Sequence, residues 1–234
     1  MKALLLSAGL GERLRPITNY IPKVMIKLNE KPCLLYAIEN LKKQGVTDFL
    51  INTHHMPHKI KDFFGDGSKF GVKIKYSFEE SPLGTSGSLN NFKEDIKSTF
   101  IVVYADVLAD FDLKSALRIH KKNNAAATII LDDKRDKKGK GLVVTKEESV
   151  ASFVEKPEQP IENALINSGF YVLEPNILNE IPKGFSDFGK NILSALIKKS
   201  QVCWIKHEGY IFDIGTINDL KKAEEFLKSQ KNKN

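Results

Sequence analysis

Leu4 to Pro16 reads LLLSAGLGERLRP, an apolar run that stops at glycines and is followed at once by two arginines. A strand that runs into a glycine loop can present backbone N–H groups to phosphate oxygens, and glycine lets an anion approach the chain closely. Arg13 offers a planar guanidinium fork for such oxygens, and Lys23 offers a point charge. Two common phosphate loops are excluded. The dinucleotide fingerprint needs a third glycine opening a helix, but Leu14 stands in that place with Pro16 close behind. The P-loop pattern G-x-x-x-x-G-K-[ST] does not occur. Two readings of these residues remain: a loop that cradles a triphosphate with Arg13 and Lys23, or a tight turn with exposed cations.

Further along, Asp106 follows TFIVVY (residues 99–104), the most β-branched and aromatic run in the chain. In open α/β sheets ligands sit at that end of a strand, although an aspartate there also serves as a cap or turn residue. Asp213 follows a short strand and precedes Ile-Gly-Thr, where it could equally shape a turn. Glu155-Lys156 closes another strand and reads as a binding pair or a surface pair. Asn167, two residues before Gly169, binds a ligand or closes a turn. His54, His55 and His58 lie close together, but with no cysteine nearby they make a poor zinc site.

In series, these stretches resemble the nucleotidyltransferases that make sugar nucleotides, the NDP-sugar pyrophosphorylases. Leu6-Ser7-Ala8-Gly9-Leu10-Gly11-Glu12-Arg13-Leu14-Arg15-Pro16 with Pro22-Lys23 fits their opening signature, with Glu12 where threonine or serine is usual. Pro82-Leu83-Gly84-Thr85 with Gly87 looks like their P-L-G-T-x-G loop. Tyr104-Ala105-Asp106-Val107-Leu108 resembles G-D-V-L with alanine in place of glycine. Phe153–Pro157 reads F-V-E-K-P, Ile166–Tyr171 resembles I-N-x-G-x-Y, and Gly209–Thr216 resembles G-Y-W-x-D-I-G-T.

The resemblance implies that a sugar 1-phosphate attacks a nucleoside triphosphate and pyrophosphate leaves. One anion must approach another, so catalysis rests on positioning and cations rather than on a protein nucleophile. It assigns catalysis to Arg13, Lys23 and Asp106. The nucleotide falls to Leu6, Ala8, Gly9, Gly11, Glu12, Arg13 and Lys23, with Pro82, Gly84, Thr85 and Asp106. Glu155, Lys156, Asn167 and Gly169 take the sugar phosphate, and Asp106 with Asp213 takes Mg2+. Asp187 and Lys190, in a segment resembling F-D-F-G-K-D, stay unassigned. The wording PLGTSG, ADVL and SDFGK is most similar to the mannose-1-phosphate and manno-heptose-1-phosphate guanylyltransferases, so GTP is the first choice. The alternatives are a UTP- or dTTP-dependent member acting on a glucose- or muramic-type sugar phosphate, and a non-catalytic regulator that binds sugar nucleotides.

The elements that must position these residues alternate. Strands are expected at Lys2–Ser7, Asp48–Thr53, Val72–Ser77, Thr99–Tyr104 and Ala125–Leu131. Helices are expected at Pro32–Lys43, Lys59–Phe64, Ser86–Phe92 and Leu113–Lys122. The pattern then changes to a hairpin (Gly141–Thr145, Val150–Val154), a strand at Ile166–Leu173 and a helix at Phe188–Lys199. Short strands at Val202–Ile205 and Tyr210–Phe212 precede a closing helix at Asn218–Lys228. The expected fold is a Rossmann-like, mostly parallel mixed sheet flanked by helices, with a small appended sugar-binding lobe. It forms one domain over residues 1–234, in which residues 1–130 bind the nucleotide and 131–234 the sugar.

Bulk composition is consistent with this. The 234 residues are 41% hydrophobic and 28% charged, ordinary for a globular protein that buries a sizeable core. The formal net charge of +7 suits a polyphosphate substrate. Much of the excess lies in Lys134–Lys140 and in the tail from Lys228 to Lys233, which read as solvated segments, so nucleic acid is not the expected partner. No apolar stretch reaches the ~20 residues of a membrane span, and Glu12-Arg13 interrupts the only stretch resembling a signal peptide. Two distant cysteines fit a reducing compartment, and the cytoplasm is the expected location. No hexapeptide repeats occur, so no appended acetyltransferase domain is expected. A homodimer is the candidate assembly.

Overall fold

The computed structural model describes residues 1–199 and 201–231. Lys233 of the basic tail lies outside them. In chain order the chain forms β1 (Lys2–Leu6), β2 (Lys27–Leu28), β3 (Lys31–Pro32), α1 (Cys33–Lys43), β4 (Asp48–Thr53), α2 (Pro57–Phe64) and β5 (Lys73–Phe78). Next come α3 (Gly84–Gly87), β6 (Phe100–Tyr104), β7 (Val107–Ala109), α4 (Leu113–Lys122), β8 (Ala127–Asp132), β9 (Gly141–Lys146) and β10 (Ser149–Glu155). The chain closes with β11 (Leu165–Leu173), α5 (Ser194–Lys198), β12 (Val202–Lys206), β13 (Ile211–Asp213) and α6 (Ile217–Lys231).

Among the described residues nine strands form one mixed sheet in the order β5-β4-β1-β6-β11-β8-β12-β10-β9. The first four are mutually parallel. β11 runs antiparallel between β6 and β8, so a strand from late in the chain lies at the sheet centre. Successive side chains of a strand face opposite sides, and two apolar layers follow from this alternation. Ala3, Leu5, Ile51 and Val103 pack with Leu34, Ile38 and Phe64 of α1 and α2. Leu4, Leu50 and Val102 face the other way, against Phe92, Phe188 and Leu196.

A third, smaller cluster positions the loops. Leu14, Leu28, Leu108, Ile214 and Ala223 pack together under α6, with Leu14 and Ile214 fully buried. This packing ties the turn that carries Arg13 to the residue just after Asp213. β13 pairs antiparallel with β7, and Asp213 stands opposite Val107.

Two expected helices differ. Ser86–Phe92 is a single α-helical turn, α3, passing into a 3-10 segment at Ser88–Phe92. The turn is anchored across the molecule, because the Ser86 and Gly87 N–H groups donate to the Ser186 carbonyl at 3.0 and 3.1 Å. Phe188–Lys199 divides into a π-helical segment, Phe188–Leu193, followed by α5. The wide turn accommodates the Phe153 ring, which leaves no room for a Cβ at Gly189.

Candidate active site

The C-terminal ends of β1, β4, β5, β6 and β8 and the N-terminal half of β11 open into one cleft. The loop after β1 forms its floor. Ser7 N–H donates to Asn52 Oδ1 at 2.8 Å and so pins the loop's first residue to β4. Gly11 sits at φ +66, where a Cβ would come within 2.9 Å of Thr18 Cγ2 and 3.0 Å of Lys23 Cβ. A side chain there would be strained and would push Lys23 away. At Gly9 a Cβ would meet nothing within 4 Å, so the open side of the loop faces the cleft.

Three 3-10 turns, Glu12–Leu14, Ile17–Asn19 and Lys23–Met25, fold the following chain back so that Arg13 and Lys23 both line the cleft. Lys23 forms an ion pair with Asp106 at the end of β6. Ala105 is fully buried, and its N–H donates to Leu6 O at 3.2 Å, so alanine is accommodated where the resemblance has glycine.

On one side of Asp106 lies a cavity of about 280 Å3 lined by Leu6, Ala8, Gly9, Pro82, Gly84 and Thr85 together with Asn52, Glu79 and Tyr104. Glu79, only 2% exposed, organises its wall. Its Oε1 accepts from Asn52 Nδ2 at 2.8 Å and its Oε2 from Leu83 N–H at 2.9 Å. The Thr85 hydroxyl donates to Asp187 Oδ2 at 3.0 Å and accepts from Phe188 N–H at 2.7 Å.

On the other side lies a cavity of about 350 Å3 that takes in Asp106, Glu155, Lys156, Asn167, Asp187 and Asp213. Asn167 is fixed at both polar ends: Nδ2 donates to the Tyr171 hydroxyl at 2.6 Å, and Oδ1 accepts from Gly169 N–H at 3.2 Å. Burial pushes the Tyr104 and Tyr171 hydroxyls above the usual phenol range, which keeps both neutral. Gly169 does not line this cavity. At φ +82 it packs against the Tyr104 ring and shifts the register between Asn167 and Phe170. Lys156 is exposed, with Glu155 as its nearest carboxylate at 3.7 Å. Lys190 is exposed and lines neither cavity, although its N–H donates to Asp187 Oδ1 at 3.0 Å.

The basic stretch 134–140, expected to be solvated, instead sends Arg135 and Lys140 into the cleft. Arg135 is drawn inward, its side chain 11% exposed, and pairs with the fully buried Asp132 through Nε and Nη2 at 2.7 and 2.6 Å. It also pairs with Asp213 Oδ1 and donates to Asn167 O at 3.3 Å. Lys140 pairs with Asp213 Oδ2. Burial, then the adjacent Arg135, lowers the Lys140 ammonium below the usual lysine range. The alternating Lys/Arg and Asp residues after β8 were the available signal, but their partner Asp213 is 78 positions from Arg135. Asn52 and Glu79 were missed too, and an Asn closing the apolar run DFLIN was the only hint. His54 and His55 are engaged with the backbone oxygens of Glu79 and Thr18, each at 2.8 Å.

Among the described residues, no group of three or more His, Cys, Asp or Glu side chains is placed to hold a metal. Asp106 and Asp213 nevertheless face one cavity with hard oxygen donors. That fits a divalent ion of the kind that takes one or two carboxylates and completes its shell with phosphate oxygens and water.

The glycine loop with Arg13 and Lys23, the cavity on one side of Asp106 and the cavity shared by Asp106 and Asp213 together make up the candidate site. Residues 2–230 match the family profile of the nucleotidyl transferases, and the chain belongs to that family. It is 34% identical over 254 residues to UTP–glucose-1-phosphate uridylyltransferase of Synechocystis sp., covering 100% of this chain and 65% of that protein. It is also 34% identical over 226 residues to mannose-1-phosphate guanyltransferase beta-A of Xenopus laevis, covering 94% and 62%. The chain thus spans a little under two thirds of the length of these relatives. Among solved structures, HddC from Yersinia pseudotuberculosis, complexed with GMP-PN, superimposes with a TM-score of 0.80 at 28% identity, covering 97% of this chain and 99% of that one.

Proposed function

We propose that the protein joins a sugar 1-phosphate to a nucleoside triphosphate, giving a nucleoside diphosphate sugar and pyrophosphate. The observation that carries this reading is that Asp106 lines two adjoining cavities beside a cluster of cations. Lys23 lines both cavities, Arg13 lines the glycine loop and the second cavity, and Arg135, Lys140 and Lys156 line the second cavity alone. The nucleotide occupies the first cavity, with its base against Pro82–Thr85 and its phosphates on the loop N–H groups. The sugar occupies the second, where Glu155 and Asn167 offer hydrogen bonds to hydroxyls.

An oxygen of the sugar phosphate bonds to the α-phosphorus as the bond from that phosphorus to the β-phosphate bridge breaks. The bonding pair leaves with pyrophosphate. Arg13 and Lys23 offset charge on the leaving group, and Lys156 holds the attacking phosphate. A divalent ion, Mg2+ by first choice, would be held by Asp106 and Asp213 and would supply neutralising charge at the α-phosphate.

GTP with a mannose- or manno-heptose-type sugar 1-phosphate is the favoured pair, supported by the guanyltransferase relative and by the GMP-PN complex of HddC. A UTP-dependent reaction on glucose 1-phosphate is the second reading, supported by the equally similar uridylyltransferase. Among the described residues no helix is long and apolar enough to cross a membrane. A pyrophosphate-release screen of four nucleotides against several sugar 1-phosphates with Mg2+ tests both readings. Release that no sugar phosphate stimulates refutes the reaction.

A further inference from the structure

Both oxygens of Asp213 are engaged by protein cations, Oδ1 by Arg135 and Oδ2 by Lys140. Asp106 is engaged by Lys23. A divalent ion that binds Asp213 must therefore displace Arg135 or Lys140 from it, because like charges at such short range repel.

Arg135 is poorly placed to leave. Its guanidinium is also fixed by the fully buried Asp132 and by the Asn167 carbonyl, and losing it would strand a buried carboxylate. Lys140 is well placed. Its side chain is 29% exposed, and among the described residues Asp213 is its only ion-pair partner. Its stem is long and flexible, and glycines 139 and 141 flank it. Its backbone stays held, because Lys156 N–H donates to Lys140 O at 3.1 Å and Lys140 N–H donates to Lys137 O at 3.2 Å. The ammonium can therefore swing while the chain remains in place. The cavity it enters is the one lined by Glu155, Lys156 and Asn167.

We propose that Lys140 is a further ligand of the substrate phosphate: it rests on Asp213 in the free protein and passes to the sugar 1-phosphate when a divalent ion takes Asp213. This rests on the reaction proposed above. It makes metal and sugar phosphate mutually dependent, since each removes an obstacle to the other, and such coupling is reciprocal.

The test is calorimetric titration of the intact protein with Mn2+, alone and with mannose 1-phosphate or inorganic phosphate, on wild type, Lys140→Met and Lys140→Arg. Lys137→Ala, on an exposed residue of the same loop outside both cavities, is the control. In wild type the phosphate compound should tighten Mn2+ binding about tenfold, a typical coupling. Lys140→Met should bind Mn2+ alone about tenfold tighter and lose most of that coupling. Lys140→Arg should retain it, and Lys137→Ala should match wild type. Mn2+ affinity unchanged or weakened in Lys140→Met overturns the proposal. Tighter Mn2+ with undiminished coupling also overturns it, because Lys140 is then only a counter-ion. A Lys140→Met protein that fails to melt cooperatively is replaced by Lys140→Gln. Turnover of the wild type, measured separately, decides the reaction itself, so failure of one reading is distinguishable from failure of the other.

Discussion

Replacing Arg135 by alanine should destabilise the protein by about 2–4 kcal/mol, and the structure supports the size of that number. Asp132 is 0% exposed and takes Arg135 at 2.6 and 2.7 Å. Removing one partner of a buried ion pair costs about 3–5 kcal/mol, because the remaining charge keeps its desolvation penalty. Two backbone donors stay behind and reduce that cost: Asp132 Oδ1 also accepts from Lys134 N–H at 2.8 Å and Arg135 N–H at 3.1 Å. For a chain of this size about 3 kcal/mol corresponds to a fall in Tm of roughly 6–12 °C. Urea unfolding of wild type, Arg135→Ala, Asp132→Asn and the double variant completes a thermodynamic cycle, and the coupling energy should exceed about 1.5 kcal/mol. A loss below about 0.5 kcal/mol for Arg135→Ala, or additive single effects, would refute the claim that this loop is pinned by a buried pair.

Other expectations concern the substrates. Lys156→Ala should lower kcat/KM for the sugar 1-phosphate about ten- to a hundredfold, the worth of one charge-assisted phosphate contact, and leave nucleotide use nearly unchanged. Equal losses at both substrates would place the residue elsewhere. Asp106→Asn and Asp213→Asn should each nearly abolish turnover across a Mg2+ titration. The double variant should be little worse than either single, because residues acting as a unit are non-additive; near-normal activity in Asp213→Asn would make that residue a turn former. Gly11→Ala should cost about 2–4 kcal/mol in urea unfolding, from its left-handed backbone and the contacts with Thr18 and Lys23. Gly9→Ala should change stability by less than about 0.5 kcal/mol yet weaken nucleotide binding, since its new Cβ meets no protein atom and faces the cleft. Equal stability losses at the two glycines would contradict this account of the loop.

The sequence by itself determined the local features. Strand β1 was legible because three leucines running into glycine suit a buried parallel strand, and β4 and β6 were legible as similar apolar runs. The glycine loop, Arg13 and Asp106 were legible because each follows a strand end closely, and Lys23 was legible only through the Pro22-Lys23 pattern that accompanies the loop. The order and spacing of the motifs also made the family recognisable. Only the tertiary structure decided which distant residues meet. The place of β11 between β6 and β8 depends on pairings across long stretches of chain, and no local pattern encodes them. The loop 134–140 shows the same limit at the level of charge. A run of lysines, arginine and aspartate is solvated unless carboxylates wait for it. Asp132, beside that run, and Asp213, delivered by the pairing of β13 with β7, hold Arg135 between them, and Asp213 alone draws Lys140 into the cleft. A charge is stabilised by what surrounds it in space, at distances of a few ångströms, and spacing along the chain does not fix those distances.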